Sequence, residues 1–116
     1  MSDPIPDAPA IRAWHAHIYF DPAMREKAVA LRARIEHELG LMVGRVHDRP
    51  VGPHTKAMFQ VLFAPADFSR FVPWLALNRD DLAVLIHPET GDDRTDHTRH
   101  ALWMGEKLDV NVSVFG

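Results

Sequence analysis

Apolar and polar residues alternate along residues 11–20: Trp14, Ala16, Ile18 and Phe20 share one parity, and His15, His17 and Tyr19 the other. A period of two is the mark of a half-buried strand. After Asp21-Pro22 the period lengthens. Met24, Ala28, Leu31, Ile35 and Leu39 recur at helical spacing, which predicts an amphipathic helix capped by Asp21, begun at Pro22 and stopped at Gly40. Residues 41–47 read as a second strand. Residues 48–55 read as a loop punctuated by Pro50, Gly52 and Pro53. Residues 56–63 form a third strand candidate. Pro65 and Asp67 introduce a second helix with Phe68, Phe71, Val72 and Leu75 on one face. Residues 81–87 read as a fourth strand and residues 88–94 as an acidic loop. A short helix over 96–102 and a last strand over 108–115 complete the prediction.

The order is β-α-β-β-α-β with a C-terminal extension. It predicts an α+β, ferredoxin-like sandwich: a four-stranded antiparallel sheet with both helices on one face. Residues 1–10 are expected to be an extended arm and residues 11–116 a single domain. The other sheet face is expected to be bare, and pairing of two copies across it predicts a homodimer.

The alternation says what that bare face carries. His15, His17 and Tyr19 fall there in the first strand, Met58, Gln60 and Leu62 in the third, and Leu85 and His87 in the fourth. Arg45 and His47 are placed on the same side. One face is thus almost wholly apolar, and the other gathers His15, His17, Arg45, His47, Gln60 and His87. In so small a domain this suggests the wall of a cavity.

Composition removes several classes of function. The 116 residues suit one domain, and a net charge of −3 gives no reason to expect nucleic-acid binding. No apolar run approaches the roughly 20 residues of a membrane span. The start of the chain lacks the basic flank and apolar stretch of a signal peptide. Zero cysteines exclude disulfides, iron–sulfur clusters and thiolate zinc sites. A cytoplasmic location is the expectation.

Against this background the eight histidines stand out. Imidazole is the commonest metal ligand and the side chain best suited to proton transfer near neutral pH. A lone strand histidine is ordinarily a surface or core residue, and His37, near a helix end, and His100 fit that description. The His15-x-His17 pair with His87 on the same face, and His54 and His97 in loops at strand ends, points instead to a shared site. Gly52-Pro53 and Pro88 are expected to shape the turns that bring His54 and His87 to its rim.

Four blocks, His15-Ala16-His17-Ile18-Tyr19-Phe20, Pro50-Val51-Gly52-Pro53-His54-Thr55, Leu77-Asn78-Arg79 and the run from Val84 to Gly105, resemble the DOPA 4,5-dioxygenase family. The resemblance covers about residues 12–108 and implies extradiol cleavage of a catechol ring with dioxygen. It matches the family's histidines onto His15, His17, His54, His87 and His97.

Such chemistry needs a metal with open positions, and non-haem Fe(II) meets that need. Zinc or nickel could occupy the same imidazoles in a purified sample. No carboxylate has an obvious ligand spacing; Glu89, Asp96 and Asp21 are the candidates. The expectation is therefore a histidine-only set, His17, His54 and His87. His97 and His15 are the acid–base candidates, and His15 and His54 could exchange roles. Arg45, Arg79 and Gln60 are candidates for holding substrate, since guanidinium grips carboxylates bidentately. Trp103 and Trp74 could line an aromatic pocket. The competing readings are a metal-free small-molecule binder and a cofactor-free monooxygenase of the dimeric α+β barrel kind. Metal dependence separates all three.

Overall fold

A computed structural model describes residues 11–115. The arm expected over residues 1–10 lies outside the described residues. Strand β1 (Ala13–Phe20) leads through a 3₁₀ turn (Pro22–Met24) into helix α1 (Arg25–Leu39). Then follow β2 (Met42–Val43), β3 (Ala57–Phe63), α2 (Phe68–Asn78) and β4 (Val84–Glu89). A short α3 (Asp93–Asp96), β5 (Leu102–Met104) and a 3₁₀ turn (Val112–Phe115) complete the chain. The sheet order is β2-β3-β1-β4-β5, with every pairing antiparallel. The first four strands have the ferredoxin-like arrangement, and β5 adds a fifth at the edge beside β4.

The predicted alternation in β1 holds. Ala16, Ile18 and Phe20 join Phe59, Val61, Phe63, Val84 and Ile86 in the main core, packed against Ala28, Leu31 and Ile35 of α1 and Phe71 and Leu75 of α2. Gly40 ends α1 at φ 66°, and its N–H donates to the Glu36 carbonyl at 3.1 Å. That left-handed geometry favours glycine. Asp21 does not cap with its side chain; its carboxylate instead pairs with Lys56 at 3.2 Å.

Four expectations are corrected. The second strand is only two residues long, because the chain bulges after it. The Gly44 N–H still donates to the Gln60 carbonyl at 2.7 Å, yet His47 pairs with Met58. Arg45 and Val46 together therefore oppose the single residue Phe59. The bulge turns Val46 onto the core and His47 onto the opposite face, and leaves Arg45 exposed. The helix expected over 96–102 is instead Asp93–Asp96, and Leu102–Met104 forms β5. The strand expected over 108–115 reduces to one bridge, Val110 with His54, followed by the 3₁₀ turn.

The fourth correction concerns the face expected to be bare, which the chain roofs itself. Tyr19, Met58 and Leu85 are buried there beneath Ala101, Trp103, Leu108 and Val110. The homodimer expected from a bare sheet loses its premise at the sheet centre. Among the described residues no helix is long and apolar enough to cross a membrane.

Candidate metal centre

Register brings the strand histidines together. His15 stands opposite His87 across the β1–β4 pair, and His17 is diagonal to it. His54 arrives from the β2–β3 loop, which the segment after β5 ties down. The Asn111 N–H donates to the Pro53 carbonyl at 2.8 Å, and the Thr55 hydroxyl to the Asp109 carbonyl at 3.0 Å. At Gly52 the loop turns with φ 57°, a conformation that suits glycine. His97 follows α3, whose first turn is held by the Asp92 carboxylate accepting from the Thr95 N–H and hydroxyl. Ring centroids lie 4.0 Å apart for His17–His54 and His87–His97, and 5.0 Å apart for His15–His87.

Hydrogen bonds fix the tautomers. A carbonyl only accepts, so His87 Nδ1–H donates to the Pro88 carbonyl at 3.0 Å, and His97 Nδ1–H to the Asp93 carbonyl at 2.8 Å. A ring that carries its single proton on Nδ1 presents a bare Nε2. His87 Nε2 lies 3.0 Å from His17 Nε2, which must supply the proton of that contact. His17 Nδ1 is then an unprotonated lone pair. It is buried and has no hydrogen-bond partner. An orphaned acceptor at this depth is costly unless something electrophilic meets it.

The surroundings keep the rings neutral. Burial lowers His17 well below the ordinary histidine range, with His54 and His87 adding to the effect. Burial, then His97 and His47, lowers His54 to about 4. His87 falls to about 3, again mainly through burial and against the opposing pull of the Pro88 carbonyl. His15 is lowered less, since Glu89, 3.5 Å from its Nδ1, partly offsets burial. Tyr19, whose hydroxyl is 2.7 Å from His54 Nδ1, is pushed upward by burial and stays protonated. Neutral imidazoles are the form that binds metals.

Among the described residues two sets bring three donor atoms within 4.8 Å of one another: His15, His17 and His87, and His17, His54 and His97. They share His17. The expected trio of His17, His54 and His87 is divided between them, although all five matched histidines belong to one cluster. The residues present therefore fit a metal, on both the donor sets and the orphaned His17 nitrogen.

The remaining candidates scatter. Gln60 is half-buried on the same face, opposite His17. Arg45 is exposed on the bulge. Arg79 lies at the end of α2 on the helix side, where its guanidinium donates to the Leu82 carbonyl at 2.9 Å and rests against Gly105. The structure does not bring Arg79 to the histidines. Trp74 stacks on Phe71 beneath Arg34 in the helical layer, whereas Trp103 stacks on Tyr19 on the histidine side. His37 and His100 are exposed.

Of the carboxylates, Asp21 is paired with Lys56, and Asp96 is saturated by the Thr90 N–H and hydroxyl and by His100 Nδ1. Of the three, Glu89 reaches the cluster, beside His15 and His87. Tyr19 was assigned no task from sequence, although its parity in β1 already aims it at the site. Phe115 packs on His97 with centroids 4.9 Å apart, a contact that no local pattern announces.

A ferredoxin-like sheet with a buried, histidine-lined face defines a class of small α+β proteins equipped to hold a metal. Residues 14–114 match the model of the Dopa 4,5-dioxygenase family, and the chain belongs to that family. It is 40% identical over 114 residues to an uncharacterized 21.2 kDa protein of Botryotinia fuckeliana, covering 88% of this chain and 62% of that one. It is 29% identical over 112 residues to the DOPA 4,5-dioxygenase of Amanita muscaria, covering 89% of this chain and 49% of that one. The chain thus spans about half to three-fifths of these relatives' length. The crystal structure of a "putative dioxygenase" from Nostoc punctiforme superposes with a TM-score of 0.87 at 44% identity, covering 96% of each chain.

Proposed function

We propose that the protein is a metal-dependent dioxygenase that opens a catechol ring by extradiol cleavage. The observation that carries this reading is the buried, unpartnered Nδ1 of His17 amid converging neutral imidazoles. Family membership supports the same chemistry.

His17, His54 and His97 are the residues we assign to holding Fe(II). All three are buried, and His97 also borders an open hollow through which a substrate can reach the metal. Compared with the ligand set expected from sequence, His97 takes the place of His87. Ferrous iron bound by three neutral nitrogens supplies a centre where both catechol oxygens and dioxygen can meet. Tyr19 orients His54 through its hydroxyl, and the Asp93 carbonyl orients His97. His15, neutral near pH 7 and half-exposed beside Glu89, takes the proton that a catechol hydroxyl gives up. His87 holds the proton of the contact with His17 in register.

The test strips the protein with chelator and reloads it with Fe(II) under argon. Caffeate or dihydrocaffeate is then added in air. Oxygen uptake with a yellow, pH-sensitive product is expected, and His17→Ala should lower the rate by about a hundredfold or more. Silence across a broad catechol panel would overturn the reading. Oxygenation that survives exhaustive chelation would point to cofactor-free chemistry instead.

A further inference from the structure

The Leu77-Asn78-Arg79 block has no part in the histidine cluster, yet its arginine sits where the chain changes course. Strands β4 and β5 pair from Ile86–Leu102 to Val84–Met104, and there the ladder stops. The Ala83 carbonyl accepts from the Tyr19 N–H on β1. Successive carbonyls of an extended chain point to opposite neighbours, so that of Leu82 turns toward the β5 side. In a longer ladder it would accept from an N–H of the chain beyond β5. Arg79 takes that place: its guanidinium donates to the Leu82 carbonyl at 2.9 Å. The Leu82 N–H is engaged as well, by the Arg79 carbonyl at 3.1 Å. The same guanidinium lies against Gly105, where φ is 73° and the chain leaves the sheet edge. A Cβ at that position would stand 2.6 Å from Arg79 Nη1.

We propose that Arg79 is a positioning residue for the metal centre: by ending the β4–β5 ladder it diverts the chain at Gly105 across the sheet face to the His54 loop. This rests on the assignment of His54 to the metal. The diverted segment packs Leu108 and Val110 against Tyr19, Met58 and Leu85. It then grips the loop through the Val110–His54 bridge, the Asn111 N–H on the Pro53 carbonyl and the Thr55 hydroxyl on the Asp109 carbonyl. With the Leu82 carbonyl free, the chain after Met104 can continue beside β4 as an edge strand, which draws it away from that loop. Loss of a group that orients a metal ligand weakens the centre even though the group never touches the ion.

Two readouts, one of them free of metal, separate this proposal from the ligand assignment. Amide hydrogen exchange is measured on chelator-treated protein, and Zn(II) affinity by competition with a chelating dye. Arg79→Ala should speed exchange at the Asn111 amide about tenfold or more relative to the Ile18 amide of the central strand. Zn(II) binding should weaken about tenfold. Arg79→Lys, which keeps a donor for the Leu82 carbonyl, should recover most of both. Gly105→Ala should reproduce the loss, and Gly105→Ala/Arg79→Ala should lose less than the two single effects combined. Ile35→Val, which lowers global stability from the core, should leave Zn(II) affinity unchanged. Native exchange at Asn111 in either single variant, an additive double variant, or no recovery in Arg79→Lys would overturn the proposal. Faster exchange at Asn111 with unchanged Zn(II) affinity would keep the diversion and overturn His54 as a ligand.

Discussion

Burial sets the charge of the central imidazoles, and that charge reports on folding. Unfolding returns His54 and His87 from about 4 and about 3 to the ordinary value of 6.5. At any pH between those limits the unfolded chain binds more protons. Stability contributed by these two rings is therefore complete above about pH 7 and is lost as pH falls through the 6.5 region toward the folded values. In metal-free protein each ring should cost on the order of 1–2 kcal/mol between about pH 7 and pH 5. Urea unfolding at both pH values with chelator present measures this, and His87→Gln should flatten the slope. A level profile in the native protein would mean that the rings are already protonated or solvated. At this scale the sequence was readily legible, because strand parity needs no tertiary information. His15, His17, Tyr19, Leu85 and His87 all fell on the side assigned to them. Arg45 did not join them, because one extra residue in a bulge breaks parity and leaves no local trace.

Among the elements, α3 and its flanks decide where His97 sits. Asp96 is fully buried one residue before it, and its carboxylate ties Thr90 at the end of β4 to His100 beyond the helix. It is expected to help position His97, the next residue along the chain. Asp96→Ala should destabilise the protein by about 2–4 kcal/mol, since it leaves the Thr90 N–H and hydroxyl unpaired. It should also weaken metal binding more than Asp96→Asn does, as read by competition with a chelating dye. Equal metal affinity in both variants would show that Asp96 serves folding alone. The elements misread from sequence are those without a period long enough to count. Leu102–Met104 is three residues long, too short to separate strand from helix end. Leu108, Val110, Val112 and Val114 alternate like a strand, yet this segment is drawn across the sheet to the His54 loop, a tertiary demand that local pattern does not contain.

For the molecule as a whole, one sheet divides an apolar half from a chemical half, and the chain covers both. Because the proposed metal donors come from β1 and two loops, a bound ion would link elements far apart in sequence. A ligand that binds only the folded state stabilises it by mass action. Fe(II) at a hundredfold excess over its dissociation constant should therefore add about 2–3 kcal/mol, seen as a rise in Tm. His17→Ala should abolish that rise, whereas His37→Ala, at an exposed position on α1, should preserve it. No Tm change with Fe(II), Zn(II) or Mn(II) would favour a metal-free binder.

The double duty of β1 has a consequence for how such a protein can diversify. Adding or removing a single residue in that strand would rotate the imidazoles into the oil and the alkyl groups into the histidine cluster. His54 and His97, by contrast, sit in loops outside the strands, where changes of length are better tolerated. New chemistries on this scaffold, natural or engineered, are accordingly to be sought by reshaping those two overhanging spans while the middle strand stays untouched.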